Sequence, residues 1–135
     1  MKNKLLFLFG LFCCLNSNAQ EPSAAVKLVQ EQLDGYNKRD IDAFLRPYSD
    51  TVAVYMFPNQ LLYRGKDKMR VEYAAMFQQT PLLHCTLVKR MELGNTIIDE
   101  ESVVFSKEMP PLHAAAMYTI RNNSIVAVYF IPEGR

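Results

Sequence analysis

Residues 82–105 read LLHCTLVKRMELGNTIIDEESVVF, and this stretch decides the fold. Gly94-Asn95 is a tight-turn pair between two β-rich runs, LLHCTLVKRMEL and TIIDEESVVF, so a long antiparallel hairpin is expected. If Leu93 faces Thr96 across a two-residue turn, Arg90 faces Asp99, Val88 faces Glu101 and His84 faces Phe105. Side chains alternate along a strand, so this register sorts them onto two sides. One side carries Leu83, Cys85, Leu87, Met91, Leu93, Ile98 and Val104, interrupted by Lys89, Glu100 and Ser102. The other carries His84, Thr86, Val88, Arg90, Asp99, Glu101, Val103 and Phe105. The first is largely apolar. The second mixes two carboxylates, an Arg and a His with apolar residues. The functional question is which side looks into a pocket.

Working outward, Ser23 is placed to cap a helix running to about Asn37, with Val26, Val29, Leu33 and Tyr36 as its apolar stripe. Gly35 weakens its last turn. After the polar break Asn37-Lys38-Arg39, Asp40 caps a short helix from Ile41 to about Arg46, stopped by Pro47. Thr51 to Phe57 reads as a strand, Pro58-Asn59 as a turn, and Leu61 to Arg64 as a second strand. Gly65 leads into a third helix, residues 66–79, with Met69, Tyr73, Met76 and Phe77 on one face. Beyond the hairpin and the SKEMPP loop come a strand from Leu112 to Ile120, an Asn122-Asn123 turn and a last strand from Ile125 to Ile131. Helices in the first half and an antiparallel meander in the second make an α+β fold.

The 135 residues suffice for one domain with a proper core, and 50% hydrophobic with 21% charged content is ordinary for a globular chain. A formal net charge of +1, without basic runs, argues against a nucleic-acid partner. Residues 1–19 have the form of a signal peptide: Lys2 and Lys4, then LLFLFGLFCCL, then the small-x-small Ser17-Asn18-Ala19. The mature chain is expected to start at Gln20, be periplasmic or secreted, and carry a formal charge of −1 once Lys2 and Lys4 leave. The apolar run is too short to span a bilayer, so no stable membrane anchor is expected. Phe12 stands before Cys13, where a lipoprotein signal has a small residue, which argues against lipidation at Cys13 or Cys14. Cys85 is then the only thiol, and it reads as a buried, inert one.

The order helix, helix, two strands, helix, four strands resembles the NTF2-like superfamily, also called SnoaL-like or ketosteroid-isomerase-like. The segments YNKRDIDAFLRPYSDTVAVYMFP, LLYRGKDKMRVEYAAMF, LGNTIIDEE and YTIRNNSIVAVYF carry the resemblance, which spans residues 20–135. It implies a cone of three N-terminal helices on a curved, mainly antiparallel sheet with an internal pocket. Apolar counting alone would bury the Leu83 side. The resemblance instead turns the Asp99 and Glu101 side inward and leaves Leu83, Cys85, Leu87 and Met91 as a homodimer face.

On that template, the base of ketosteroid isomerase falls at Met56 or Phe57. Its oxyanion Tyr falls at Gln32 and its oxyanion Asp near Ala116 or Met117. None offers the needed group, so that reaction is not expected. The resemblance and the register together suggest a small-molecule site formed by Tyr55, Phe57, Tyr63, His84, Arg90, Asp99, Glu101, Phe105 and Tyr118. The ligand would be a small, mainly apolar molecule with a polar head, bound without catalysis. A lyase or isomerase using His84 with Asp99 or Glu101 is the alternative. Arg90 opposite Asp99 reads either as an ion pair or as a ligand clamp. With no His-x-His or His-x-x-x-His spacing, no phosphate loop and no CxxC, neither a metal nor another cofactor is expected.

Overall fold

The computed structural model describes residues 20–134; the proposed signal segment lies outside them. Helix α1 spans Ala24–Lys38, α2 Ile41–Leu45 and α3 Lys66–Gln79. The strands are β1 Tyr48–Met56, β2 Gln60–Arg64, β3 His84–Leu93, β4 Thr96–Val104, β5 Leu112–Arg121 and β6 Ser124–Pro132. They form one sheet in the order β2-β1-β6-β5-β4-β3. β1 runs parallel to β6, and every other pairing is antiparallel. The result is an α+β fold in which two long helices and one short one accompany a mixed sheet.

The expected caps are present. Ser23 Oγ accepts from the Val26 amide at 3.1 Å, and Asp40 Oδ1 accepts from the Asp42 and Ala43 amides. Each satisfies donors that a helix start leaves free. Gly35 does more than weaken a turn. A Cβ there would lie 2.4 Å from the Phe44 amide nitrogen, so its absence lets α2 pack directly onto α1. α1 lies against β3, β4 and β6. Val29, Leu33, Phe44, Leu45, Val52, Val54, Met69, Ile97, Ile125 and Val128 make the fully or nearly fully buried core.

The hairpin register holds near the turn and fails beyond it. Leu93 pairs with Thr96, Arg90 with Asp99 and Lys89 with Glu100. Leu87, not Val88, then faces Glu101, and His84 faces Val104 rather than Phe105. Val88 is the extra residue of a β-bulge, and a one-residue slip reverses every side chain beyond it. Leu83 and Cys85 are therefore buried at 1% and 4% exposure, Leu87 is half-buried, and His84 and Thr86 face out. The bulge buries Leu83, Cys85 and Leu87 in place of His84, Thr86 and Val88, which is the favourable exchange because the polar pair stays in solvent. The expected dimer face of Leu83, Cys85, Leu87 and Met91 is thereby overturned, because only Met91 of the four is exposed.

β3 is a sheet edge, and α1 covers part of it. Asn37 Nδ2 donates to the Cys85 carbonyl at 2.9 Å, and the Cys85 amide donates to Asn37 Oδ1 at 2.8 Å. One side-chain amide thus takes the place of a neighbouring strand. On the outer face a row of cross-strand partners runs Leu61, Tyr55, Tyr129, Met117, Ile98, Met91 across all six strands. Tyr55 and Tyr129 stack at 4.7 Å.

Candidate functional site

A cavity of about 190 Å³ opens between the helices and the inner sheet face. α1 contributes Gln32, Leu33 and Tyr36; α2 contributes Phe44; α3 contributes Tyr73 and Met76. The sheet side supplies Tyr48, Cys85, Glu101, Val103, Phe105, Leu112, Ala114, Tyr118 and Phe130. Seven of these residues are aromatic. Four of the rings pack on one another or on Phe77: Phe44 lies 4.4 Å from Tyr73, 5.3 Å from Tyr48 and 6.1 Å from Tyr36 between centroids. Such tilted and edge contacts hold ring positions as well as burying area.

One polar chain crosses this aromatic wall. The Tyr48 hydroxyl donates to Gln32 Oε1 at 3.1 Å, and Gln32 Nε2 donates to the Tyr118 hydroxyl at 3.1 Å. The Tyr118 hydroxyl in turn donates to Glu101 Oε1 at 3.3 Å. Burial first, then the Asp99 charge, pushes the Glu101 carboxyl up to about 7, against the Tyr118 hydrogen bond, Arg90 and Cys85, which lower it. Burial likewise holds the Tyr48, Tyr73 and Tyr118 hydroxyls well above the usual phenol range, so they stay neutral. Cys85 is pushed up to about 12 by burial and then by Glu101 and Asp99, so it offers no thiolate near neutral pH.

Of the nine residues expected in the site, Glu101, Phe105 and Tyr118 line the cavity. Asp99 is fully buried but does not line it. Arg90 grips both Asp99 carboxylate oxygens at 2.7 and 2.6 Å and reaches Gln30 at 3.0 Å, which makes a structural ion pair. His84 lies on the outer face because of the Val88 bulge, so the alternative that pairs His84 with Asp99 or Glu101 is overturned. Tyr55 also faces outward, stacked on Tyr129 and hydrogen-bonded by Arg64 at 3.1 Å. Phe57, at 52% exposure, lies past the end of β1 and outside the cavity. Tyr63 packs against the core without lining the cavity, and burial pushes its hydroxyl up to about 12.

Sequence reasoning missed most of the helical wall. Tyr36, Tyr73 and Met76 stood in apolar stripes and were read only as packing. Their polar tips and soft sulfur at the stripe ends were the available signal. Tyr48, Phe44, Leu112, Ala114 and Phe130 gave no local signal. Gln32, noted only as the wrong residue for an oxyanion Tyr, is the centre of the polar chain. Among the described residues no group of three His, Cys, Asp or Glu could hold a metal ion, and no helix is long and apolar enough to cross a membrane.

Among curated proteins no relative matches the chain. Solved structures do. A cystatin-fold protein from Novosphingobium aromaticivorans is 20% identical, with a TM-score of 0.73 over 82% of this chain and 99% of that one. An epoxide hydrolase of the LEH-like type from M. tuberculosis is 11% identical, with a TM-score of 0.71 over 84% of this chain and 86% of that one. A putative SnoaL-like polyketide cyclase from Jannaschia sp. CCS1 is 14% identical, with a TM-score of 0.68 over 84% and 91%. At these identities the likeness establishes the shared cystatin/NTF2-like fold with its curved sheet, and the fold alone. The family model of the SnoaL-like domain matches residues 29–128, from α1 to β6, and the chain therefore belongs to the SnoaL-like family.

Proposed function

We propose that this domain is exported and holds a small, mainly apolar molecule with a polar head in its aromatic cavity, without converting it. The carrying observation is the single chain Tyr48–Gln32–Tyr118–Glu101 set into a wall of rings and aliphatic groups. Apolar walls supply affinity, and a few fixed polar groups orient the ligand. Two proteins sharing the fold are named for epoxides and polyketides, which agrees with a small organic ligand. The lyase or isomerase alternative rests on Glu101 alone, with its carboxyl poised at about 7 in the cavity. His84 and Asp99 do not reach it.

The outer row from Leu61 to Met91 supports a homodimer through the sheet, in place of the face expected from the simple register. Native mass spectrometry of the protein from its own cells tests ligand and assembly together. A retained small molecule that is lost in Glu101→Ala is the expected result. An empty cavity and an unchanged variant would refute the binding reading. Intact mass should show a mature start at Gln20, and a lipid-bearing species retaining Cys13 or Cys14 would refute the cleavage.

A further inference from the structure

We propose that the molecule held in the cavity is an organic cation, an ammonium group on an apolar body, seated against Glu101 among the aromatic rings. This rests on the binding reading above and narrows it to one ligand class.

The charge inventory comes first. Among the described residues, Glu101 is the only acidic one lining the cavity, and no Lys, Arg or His lines it. The nearby charges are settled elsewhere: Arg90 spans both oxygens of the fully buried Asp99 and spends its remaining reach on Gln30. A second anion would meet Glu101 with no cation lining the cavity to offset it, so an anionic ligand is disfavoured. Next, Glu101 is 9% exposed, and its hydrogen-bond donors, the Tyr118 hydroxyl and the Cys85 thiol, are both neutral. A buried carboxylate has lone-pair sites for several more, and needs either a proton or a cation. An ammonium supplies the charge. The walls supply the rest, because the negative faces of aromatic rings attract cations, and seven rings line this space.

Below about pH 7 a proton competes with the cation for Glu101, since burial and Asp99 push its carboxyl up to about 7. The groups around it are Asp99 on its own strand, Arg90 and Cys85 on β3, Tyr118 on β5, Tyr36 on α1, Tyr48 on β1 and Tyr73 on α3. The hydroxyls among them stay neutral. A bound cation must therefore displace the proton below that pH, so its affinity rises as pH rises from 6 to 8. A neutral carbonyl would accept from the protonated acid, and its affinity would fall over the same range.

Calorimetry on the mature domain separates the two. The probes are benzyltrimethylammonium, whose charge does not titrate, and 4-phenyl-2-butanone, a neutral ketone of equal heavy-atom count. The expected result is tighter binding of the cation than of the ketone at pH 8, and weakening of the cation by about tenfold at pH 6, following the ionised fraction of a group at about 7. Glu101→Gln should abolish that pH dependence and weaken the cation. Phe105→Leu keeps the carboxyl and removes one ring. It should weaken the cation by about threefold with the pH dependence intact, and it decides the matter if Glu101→Gln fails to fold. Preferential binding of the ketone, falling with pH, would overturn the cation and leave the binding reading standing. Binding of neither probe, in a protein that also retains nothing from its own cells, would overturn both.

Discussion

Replacing Gly35 with Ala sets helix propensity against packing, and the sign of the outcome decides between them. Propensity alone favours Ala by about 1 kcal/mol inside a helix. The structure opposes this, because the new Cβ would lie 2.4 Å from the Phe44 nitrogen, 2.6 Å from its Cα and 2.8 Å from the Ala43 carbonyl carbon. All three are backbone atoms, so no side chain can swing away and α2 must retreat by about 1 Å to restore ordinary contact. α2 carries Phe44 and Leu45, each 1% exposed. Overpacking of this kind costs roughly 1–3 kcal/mol, and loosening two buried side chains brings the cost to about 3. The net destabilisation is about 2 kcal/mol, or a melting temperature lower by about 8 °C in a domain of this size. Because Phe44 lines the cavity 4.4 Å from Tyr73, ligand affinity should fall with it. Thermal unfolding followed by circular dichroism measures the first effect. A melting temperature equal to or above that of the wild type would refute the close approach of α1 and α2.

Four further outcomes follow from other parts of the fold. The raised Glu101 carboxyl binds its proton more tightly folded than unfolded, so stability falls as pH rises between about 4.5 and about 7, by roughly 3 kcal/mol in all. Denaturant titrations should show this slope in the wild type and not in Glu101→Gln, and parallel pH profiles would sink the assignment. Asp99→Asn leaves Arg90 buried without its counter-charge and should cost about 3–5 kcal/mol, read as a lower urea midpoint. A loss under 1 kcal/mol would place the pair in solvent. Leu87→Asp, on the inner side of the bulged strand, should unfold the protein. Met117→Asp, on the outer row, should instead give a folded monomer in sedimentation, and the reverse pattern would restore the simple register.

The helices, their caps and the hairpin turns were legible because each is encoded within a few residues. Ser23 and Asp40 precede apolar periodic runs, and Gly94-Asn95 and Asn122-Asn123 adopt the left-handed backbone that tight turns need at Gly94, Asn122 and Asn123. The parallel pairing of β1 with β6 was not legible from local pattern, since it joins strands far apart in sequence. The same holds for the Asn37 bridge to β3, where a residue read as part of a polar break supplies both halves of an amide pair.

The site was half legible for one specific reason. Asp99 and Glu101 share the inner face: the register put them on one side, since it is right as far as Lys89–Glu100 and β4 alternates without interruption, but only the family resemblance turned that side inward. The Val88 bulge lies in β3, so it moves only the partners: His84 out, Cys85 and Leu87 in. Without the bulge, His84 and Thr86 would stand on the inner face, and a His–carboxylate pair would be the natural chemistry. With it, Glu101 faces a thiol, a phenol and aromatic rings, and among the described residues no Lys, Arg or His lines its cavity. A run such as HCTLVKRM gives no local mark of where the extra residue falls. What selects it is the burial of Leu83, Cys85 and Leu87 against a core built by α1, and that core is a property of the folded chain. The chemistry open to the cavity is therefore set by an apolar preference on β3, the strand beside the one that carries Glu101.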